Sequence, residues 1–418
     1  MEGALRVAVL AAGAKVLAGL LEGIGCGRRE QPVQCCCGAI MQSKGIEEKT
    51  LITIMGPSPY RRSRYECDDC GDVRFPGDEE LDVVGTGRTP GLRRMMARAG
   101  SRQTFKEAKE DLKVYAGIAV SPKDVERVAE RIGAQVETWQ AADMGKLLQI
   151  EAPSQADKSI PVLYVEMDGT GVPMVKSERD GRKGKQPDGT AKTREVKLGC
   201  VFTQTTIDQD GRPVRDPEST SFVGAIEAAE DFGKRIEAEA IRRGLFNSHR
   251  VVVLGDGAAW IRNLCELRFP HALQIVDLYH AKEHVANLCK LIFGCNEKKL
   301  LRYRTKWWTY LEESKVEKIV CQANKMLPVK GRGDALQKVM TELHYLEENK
   351  NRMRYADFRR QGLFVGSGVI EAGCKSIIGA RLKQSGMEWT VRGANAIIAL
   401  RCAMLSGRFE DFWETRAA

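Results

Sequence analysis

Three acids in this sequence stand at places where a metal-dependent reaction could be run. Asp168 follows the apolar run Val162 to Met167, and Asp256 follows Val251-Val252-Val253-Leu254 and one glycine. Both runs read as strands, and the carboxyl ends of strands in open α/β sheets face the ligand crevice, so the two acids are expected to meet there. An aspartate beside glycine is also favoured in a plain turn, and having two such sites is what lifts the functional reading above that one. Glu371 is expected near the start of a late helix, after Gly366-Ser367-Gly368, whose serine can cap it. Acids from three separate elements could hold two divalent ions roughly 3.5 to 4 Å apart, an arrangement that activates a nucleophile and steadies a leaving oxygen in phosphoryl transfer. Mg²⁺, with Mn²⁺ as its substitute, suits such oxygen donors. Nothing matches the G-x-x-x-x-G-K-[ST] loop of an NTPase. Glu166 shares the strand face of Asp168 and is either an extra acid in the cleft or, more simply, a residue beside the sheet.

Two further constellations could bind metal. Asp277, His280 and His284 form D-x-x-H-x-x-x-H, which on a helix puts three donors on one face and keeps a zinc hydrolase open as an alternative. Ala281 stands where a zincin needs its glutamate, so the match is incomplete. Cys67 and Cys70 make a clean C-x-x-C knuckle, and a pair drawn from Cys35, Cys36 and Cys37 could complete a four-thiolate structural zinc site. Reduced cysteines without metal are the plain alternative. Cys200, Cys265, Cys289 and Cys374 sit among apolar neighbours and are expected in the core. Lys375 and Lys383 could meet phosphates, while Trp389 is expected to pack.

These residues need scaffolds, and the 418-residue length suggests two or three domains. An apolar share of 43% and a charged share of 29% exclude collagen-like, disordered and membrane classes. The 13 cysteines would suit a secreted disulfide scaffold only in a much shorter chain with a signal peptide. The apolar stretch Val7 to Leu21 has Glu2 where a signal peptide carries basic residues, includes Lys15, and counts too few residues to span a bilayer. It is expected to be a packing helix, which makes the chain cytoplasmic with no membrane partner. A segment rich in short polar turns, Val33 to about Val84, carries the first cysteines. Thr104 and Glu107 spell a capping box ahead of Phe105, Ala108, Leu112 and Tyr115 at helical spacing. Ser121 and Pro122 open a second helix whose face is Val125, Val128, Ala129 and Ile132, with Gly133 as its stop. The pair resembles a helix-turn-helix unit, although most such pairs only pack against a neighbour.

From about Ile160 strands and helices alternate. Val162 to Met167 feeds a glycine turn, residues 181–191 are a polar loop, and Glu195 to Thr203 is a second strand. A helical pattern covers Ala225 to Arg243, then come the strand Val251 to Leu254, a helix from Ala258 to Leu267, the strand Ala272 to Val276 and a helix opening at Asp277. The class is α/β with a mixed or parallel sheet. Glu297 to Arg360 breaks the rhythm, being helical throughout with 16 Lys+Arg and 9 Asp+Glu. Its net charge of +7 is most of the chain's +9, and with Trp307-Trp308 it reads as a nucleic-acid contact.

Five stretches together resemble a known family: DGTGVPM from Asp168, EVKLG from Glu195, GDGAAWI from Gly255, IVDLYHAKEH from Ile275, and GSGVIEAGCKSIIGARLKQSGMEWTVRGANAIIALR from Gly366. They resemble bacterial insertion-sequence DDE transposases, in the ISKra family related to the Mutator-like transposases, from Asp168 to the C-terminus and less tightly in the N-terminal half. The resemblance implies an RNase H-like catalytic domain with an all-helical insertion, preceded by a zinc-ribbon-like segment and a small helical, helix-turn-helix-like domain. It implies that Asp168, Asp256 and Glu371 are the DDE acids holding Mg²⁺ or Mn²⁺, with Asp277 and His280 in support. It favours Cys35 and Cys37 as the partners of Cys67 and Cys70 for structural zinc. The division it suggests is 1–32 packing helix, 33–84 zinc segment, 85–157 DNA-binding-like helices, 158–296 catalytic domain, 297–360 insertion and 361–418 catalytic C-terminal part. Lys375, Lys383, Arg302, Arg304 and Lys306 are the expected DNA contacts. The implied activity is phosphodiester hydrolysis at the element's terminal repeats followed by strand transfer into target DNA, by a homo-oligomer associated with the bacterial nucleoid. A non-catalytic DNA-binding regulator derived from a transposase is the runner-up.

Overall fold

A computed structural model describes every residue except 154–158, 185, 187, 188, 328–332 and 418. The expected boundary at 157/158 and part of the polar loop 181–191 therefore lie outside the described residues. The chain forms two compact units, Met1–Gly133 and Ala134–Ala418.

In the first unit α1 (Glu2–Ile24) precedes a long hairpin of β1 (Gln42–Thr53) and β2 (Gly56–Glu66), which pair antiparallel from Gln42 against Glu66 to Thr53 against Gly56. β3 (Val73–Arg74) extends this sheet, and α2 (Pro76–Glu80), α3 (Pro90–Arg102) and α4 (Phe105–Ala116) follow. The cysteine segment is thus more than the series of short turns its polar composition suggested. Leu51, Tyr60 and Val83 bury beside Leu21, and each such apolar side chain contributes roughly 1.5–3 kcal/mol when fully buried. The Thr104–Glu107 capping box forms in full, and Gly117 ends α4 in the left-handed conformation at φ 71.

Two expectations for this half change. The helix opened by Ser121 and Pro122, α5 (Pro122–Leu147), runs through Gly133, where a stop was expected, because apolar spacing continues to the buried Val136 and beyond. α1 is longer than the run from Val7 to Leu21, because the flanking segments 2–6 and 22–24 are also helical. At 23 residues and mean hydropathy 1.8 it is, by length and composition, the one described helix able to cross a membrane. It is also little used for packing, with only Ala14 and Leu21 buried.

The second unit is built on a five-stranded mixed sheet. β4 (Ile160–Pro173) pairs antiparallel with β5 (Thr193–Gln204), after the short α6 (Lys176–Arg179). A small ladder of β6 (Thr206–Ile207) and β7 (Pro213–Val214) follows, then β8 (Ser221–Ala225), a strand the sequence pattern did not announce, whose last residue was expected to open a helix. α7 (Ala229–Arg242), β9 (Ser248–Gly255), α8 (Ala259–Arg268) and β10 (Leu273–Val276) complete the order β10-β9-β4-β5-β8. β9 runs parallel to β4, and β10 parallel to β9. Alternation along β4 divides its side chains. Leu163, Val165 and Met167 bury against Phe232 and Ile236 of α7 and Ile261 and Leu264 of α8. Tyr164, Glu166 and Asp168 point to the other face.

β4 does not stop at Asp168 for a glycine turn. Gly169 and Gly171 stay in the strand, where a Cβ would come within 2.7 Å of Glu195 Oε1 and 2.8 Å of Thr193 Oγ1 on β5. The glycines allow close cross-strand approach.

After α9 (Leu278–Phe293), residues 297–360 form helices joined by short turns, with no strand among the described residues: α10 (Glu297–Glu312), α11 (Val316–Lys325), α12 (Gly333–Asn349) and α13 (Tyr355–Arg360), with a 3₁₀ turn at Lys350–Arg352. α14 (Gly368–Gly373) continues through a π-helical turn at Cys374–Gly379 into α15 (Ala380–Leu382), and α16 (Val391–Leu405) and α17 (Phe409–Ala417) close the chain.

Candidate active site and metal centre

Register brings the first two acids together. Met167 pairs with Gly255 on the neighbouring parallel strand, so Asp168 and Asp256, each one residue further on, stand at the same level of adjacent strands, whose usual spacing is about 4.8 Å. Both are half-buried. Burial pushes the Asp168 carboxyl up from its ordinary range and the Asp256 charge adds to this, while bonds from the Cys374 thiol, at 3.3 Å, and the Gly169 N–H oppose it. Asp256 Oδ1 accepts the Ala258 N–H at 2.8 Å, and the turn this makes needs Gly257 at φ 84.

Glu371 lies in the first turn of α14 with its side chain 47% exposed, 3.8 Å from the ammonium of Lys375. Three residues on, Cys374 makes the contact to Asp168, so it is part of this site and not a core cysteine. Burial and the neighbouring Asp168 hold that thiol well above its ordinary range. Cys200, Cys265 and Cys289 are buried as expected. Asp168, Asp256 and Glu371 are not gathered within 4.8 Å of one another.

Asp277 is buried and works on two fronts. Its Oδ1 caps α9 by accepting the His280 N–H at 2.6 Å, and its Oδ2 accepts the Ser367 N–H at 2.6 Å and hydroxyl at 3.0 Å. The Ser367 hydroxyl is therefore spent on Asp277 and does not cap α14, the role its position suggested. The His280 and His284 rings lie 5.0 Å apart, but His284 Nδ1 bonds Glu342 Oε2 at 2.5 Å. With Asp277 committed to two backbone amides and the Ser367 hydroxyl, and His284 to Glu342, the three are not gathered as ligands of one ion.

Glu166, on the face of Asp168, is fully buried. Its Oε2 accepts the Ile370 N–H at 2.8 Å. Burial pushes its carboxyl up to about 8. Lys383 Nζ donates to Thr170 Oγ1 on β4, while Lys375 is 82% exposed. Trp389 packs, with its Nε1 bonded to the Leu382 carbonyl at 3.1 Å. On α10, Arg302 is exposed, the Arg304 guanidinium lies 5.1 Å from the Trp308 ring, and Lys306 lies 5.7 and 5.4 Å from Tyr303 and Tyr310. Tyr345 of α12 is a site neighbour that sequence spacing gave no sign of: its hydroxyl bonds the Asp256 carbonyl.

In the first unit the sulfurs of Cys35, Cys37, Cys67 and Cys70 all lie within 4.8 Å of one another. Cys35 is 3.3 Å from Cys70, and Cys37 is 3.5 Å from Cys67, close to the edge of about 3.8 Å that a tetrahedron with Zn–S near 2.3 Å would set. Cys36, 3.8 Å from Cys35, is turned toward Asp72 in a second grouping. Both turns close on a glycine with positive φ, Gly38 at 91 and Gly71 at 74. The Cys70 N–H leads in holding the Cys67 thiol down to about 7. This cluster could hold a metal such as zinc.

Residues 39–415 match the Uncharacterised protein family (UPF0236). The UPF0236 protein in vanSb 3'region of Streptococcus gallolyticus is 23% identical over 379 residues, covering 88% of this chain and 75% of its own. A UPF0236 protein of Caldanaerobacter subterraneus subsp. tengcongensis, whose name joins eleven locus labels, is 19% identical over 369 residues, covering 86% of this chain and 68% of its own. Among solved structures, the Drosophila P element transposase strand transfer complex aligns at 12% identity over 82% of this chain and 85% of that chain. Its TM-score of 0.26 is too low to carry an argument.

Proposed function

The chain belongs to the Uncharacterised protein family (UPF0236), and from that premise we propose that it is the DDE-type DNA transposase of a bacterial insertion sequence, in the ISKra group. The observation that carries the reading is the pairing of Met167 with Gly255, which levels Asp168 with Asp256 on adjacent parallel strands. Cys374 extends that region to the turn bearing Glu371. A mixed sheet with a helical 297–360 between the second and third acids supports an RNase H-like catalytic domain carrying an insertion. One relative's name carries eleven locus labels from a single genome, which is the trace that a self-copying element leaves.

Asp168, Asp256 and Glu371 offer only oxygen donors, which suits Mg²⁺ or Mn²⁺. Such ions, when bound, supply a more acidic water and offset charge on a transferring phosphate. The chain's own part is to hold the carboxylates at one level, keep them partly dry, and present Lys375 and Lys383 to the DNA backbone. Water attacks the phosphodiester at an element end, and the freed 3′-hydroxyl attacks a target phosphodiester with no covalent bond to the protein. Arg302, Arg304 and Lys306 hold DNA on the insertion, the 85–157 helices contribute further contact, and Cys35, Cys37, Cys67 and Cys70 bind a structural zinc ion in a ribbon-like segment. The enzyme works as a homo-oligomer at the nucleoid.

The test is strand cleavage of duplexes carrying the DNA that borders this gene, with purified protein and Mg²⁺ or Mn²⁺. Nicking that Asp256→Asn and Asp168→Asn each abolish, with the circular dichroism spectrum retained, is the expected result. Nicking that survives both changes sinks the reading, and specific binding with no nicking favours the non-catalytic regulator.

A further inference from the structure

We propose that Glu166 is a positioning residue, whose buried carboxyl group acts with the carboxylate of Asp277 to fix the helix bearing Glu371 against the sheet. The inference rests on the two-metal reading above. Glu166 has no exposed surface and lies on the Asp168 face of β4, two residues before it. Its Oε2 accepts the Ile370 N–H at 2.8 Å. The thiol of Cys200, its register partner on β5, lies 3.8 Å from the same oxygen.

The Ile370 N–H is one of the first four amides of α14, which have no partner within their own helix. Asp277 takes the Ser367 amide and hydroxyl at the N-cap of the same helix. Two acids from different elements thus hold the cap and the third helical position, and Glu371 is the next residue along. Glu371 itself is half exposed, so nothing in its own packing settles where it points. Its direction is inherited from the two bonds beneath it.

An apolar side chain of similar size would fill the Glu166 site without the desolvation that a buried acid incurs. The other oxygen, Oε1, has no hydrogen-bond partner to offset that penalty. What the acid supplies and an apolar residue cannot is an acceptor for Ile370. Glu166 is too deeply enclosed to touch DNA, and it acts through Glu371.

Three forms of the full chain provide the test: wild type, Glu166→Gln, which keeps an acceptor, and Glu166→Met, which keeps volume alone. Amide exchange of Ile370 and Mn²⁺ binding by electron paramagnetic resonance are measured on each. Wild type and Glu166→Gln are expected to protect the Ile370 amide and to bind Mn²⁺ within about threefold of each other. Glu166→Met is expected to lose that protection and to weaken Mn²⁺ binding about 10-fold or more, as removal of outer partners of metal ligands does. A folded Glu166→Met with wild-type Mn²⁺ affinity overturns the proposal, as does a Glu166→Gln that is equally damaged. If Glu166→Met does not fold, the wild type still decides, since rapid exchange at Ile370 shows the bond is not made. Wild type that binds Mn²⁺ in a way sensitive to Asp256→Asn but not to Glu166→Met sinks this inference alone. Wild type that binds no Mn²⁺ sinks the two-metal reading and this inference with it.

Discussion

The hydroxyl of Tyr345 donates a 2.8 Å hydrogen bond to the backbone carbonyl of Asp256. The Tyr345 ring stacks on His284 at 3.6 Å, and His284 is bonded in turn to Glu342. The strand end that carries the second acid is therefore braced by α12 and α9. Replacing Tyr345 by Phe removes one hydrogen bond, worth about 0.5–1.5 kcal/mol. We expect cleavage to fall up to about 10-fold with little change in melting temperature, followed by single-turnover nicking and thermal denaturation.

Gly257 lies between that acid and its brace. Its φ is 84, and a Cβ there would meet Tyr345 Oη at 2.9 Å. Gly257→Ala should destabilise the second unit by about 1 kcal/mol or more, because the left-handed backbone and the phenol both resist the methyl. Urea denaturation showing a midpoint equal to wild type would refute it.

The cysteine cluster gives a pH-dependent prediction. Thiolate, not thiol, binds zinc, and within the cluster the Cys70 N–H holds the Cys67 thiol down while the neighbouring sulfurs hold Cys37 and Cys70 up. Protons should therefore compete with the metal as pH falls, Cys67 being the last of these thiols to protonate. One zinc per chain is expected by elemental analysis, released into a chromogenic chelator as pH drops to about 5.5 and retained poorly by Cys67→Ser.

Asp143, in the second half of α5, accepts hydrogen bonds from Arg242 and, at 2.8 Å, from Arg408. Burial alone would raise its carboxyl, but the Arg408 bond and the Arg242 charge outweigh it and hold the group below its ordinary value of 3.8. A depressed folded value stabilises the fold above pH 3.8 and is lost as pH falls through the still lower folded value. Asp143→Asn should cost about 1–3 kcal/mol at pH 7 and very little near pH 2, measured by denaturation at both.

Charge reversal of Arg302, Arg304 and Lys306 should weaken DNA binding and flatten its salt dependence by about 0.9 in slope for each phosphate no longer neutralised. Fluorescence anisotropy across a salt series checks this, and an unchanged slope would remove α10 from the DNA surface.

Local signals carried much of this architecture. The run from Val162 and the run from Val251 both became strands of one sheet, and Thr104 with Glu107 marked a helix start to the residue. The C-x-x-C spacing marked Cys67 and Cys70, and the family resemblance, not spacing, singled out Cys35 and Cys37 as the sulfurs that converge on them. What local pattern could not carry was pairing between distant segments. β8 went unassigned because Ser221 to Ala225 is too short to display alternation of its own, and the β1–β2 hairpin was masked by charged residues on its open face. The bond between Glu166 and Ile370 spans 204 residues, and no periodicity reports such a contact. Gly133 misled for the opposite reason: an isolated glycine costs a helix only about 1 kcal/mol, which the continuing apolar face outweighs.

The π-helical turn at Cys374–Gly379 sets the phase of everything after Glu371. In an unbroken α-helix nine residues advance about 900°, which would put Cys374 and Lys383 on opposite sides. Yet Cys374 meets Asp168 and Lys383 meets Thr170, two positions of the same strand. The wider winding of the turn, with its i→i+5 bonds, takes up the missing angle. Removing a single residue from this turn would rewind it to α geometry with eight residues, about 800°, between the two, which keeps Cys374 and Lys383 within about 80° of one face, so the turn accommodates one extra residue between the two contacts to β4.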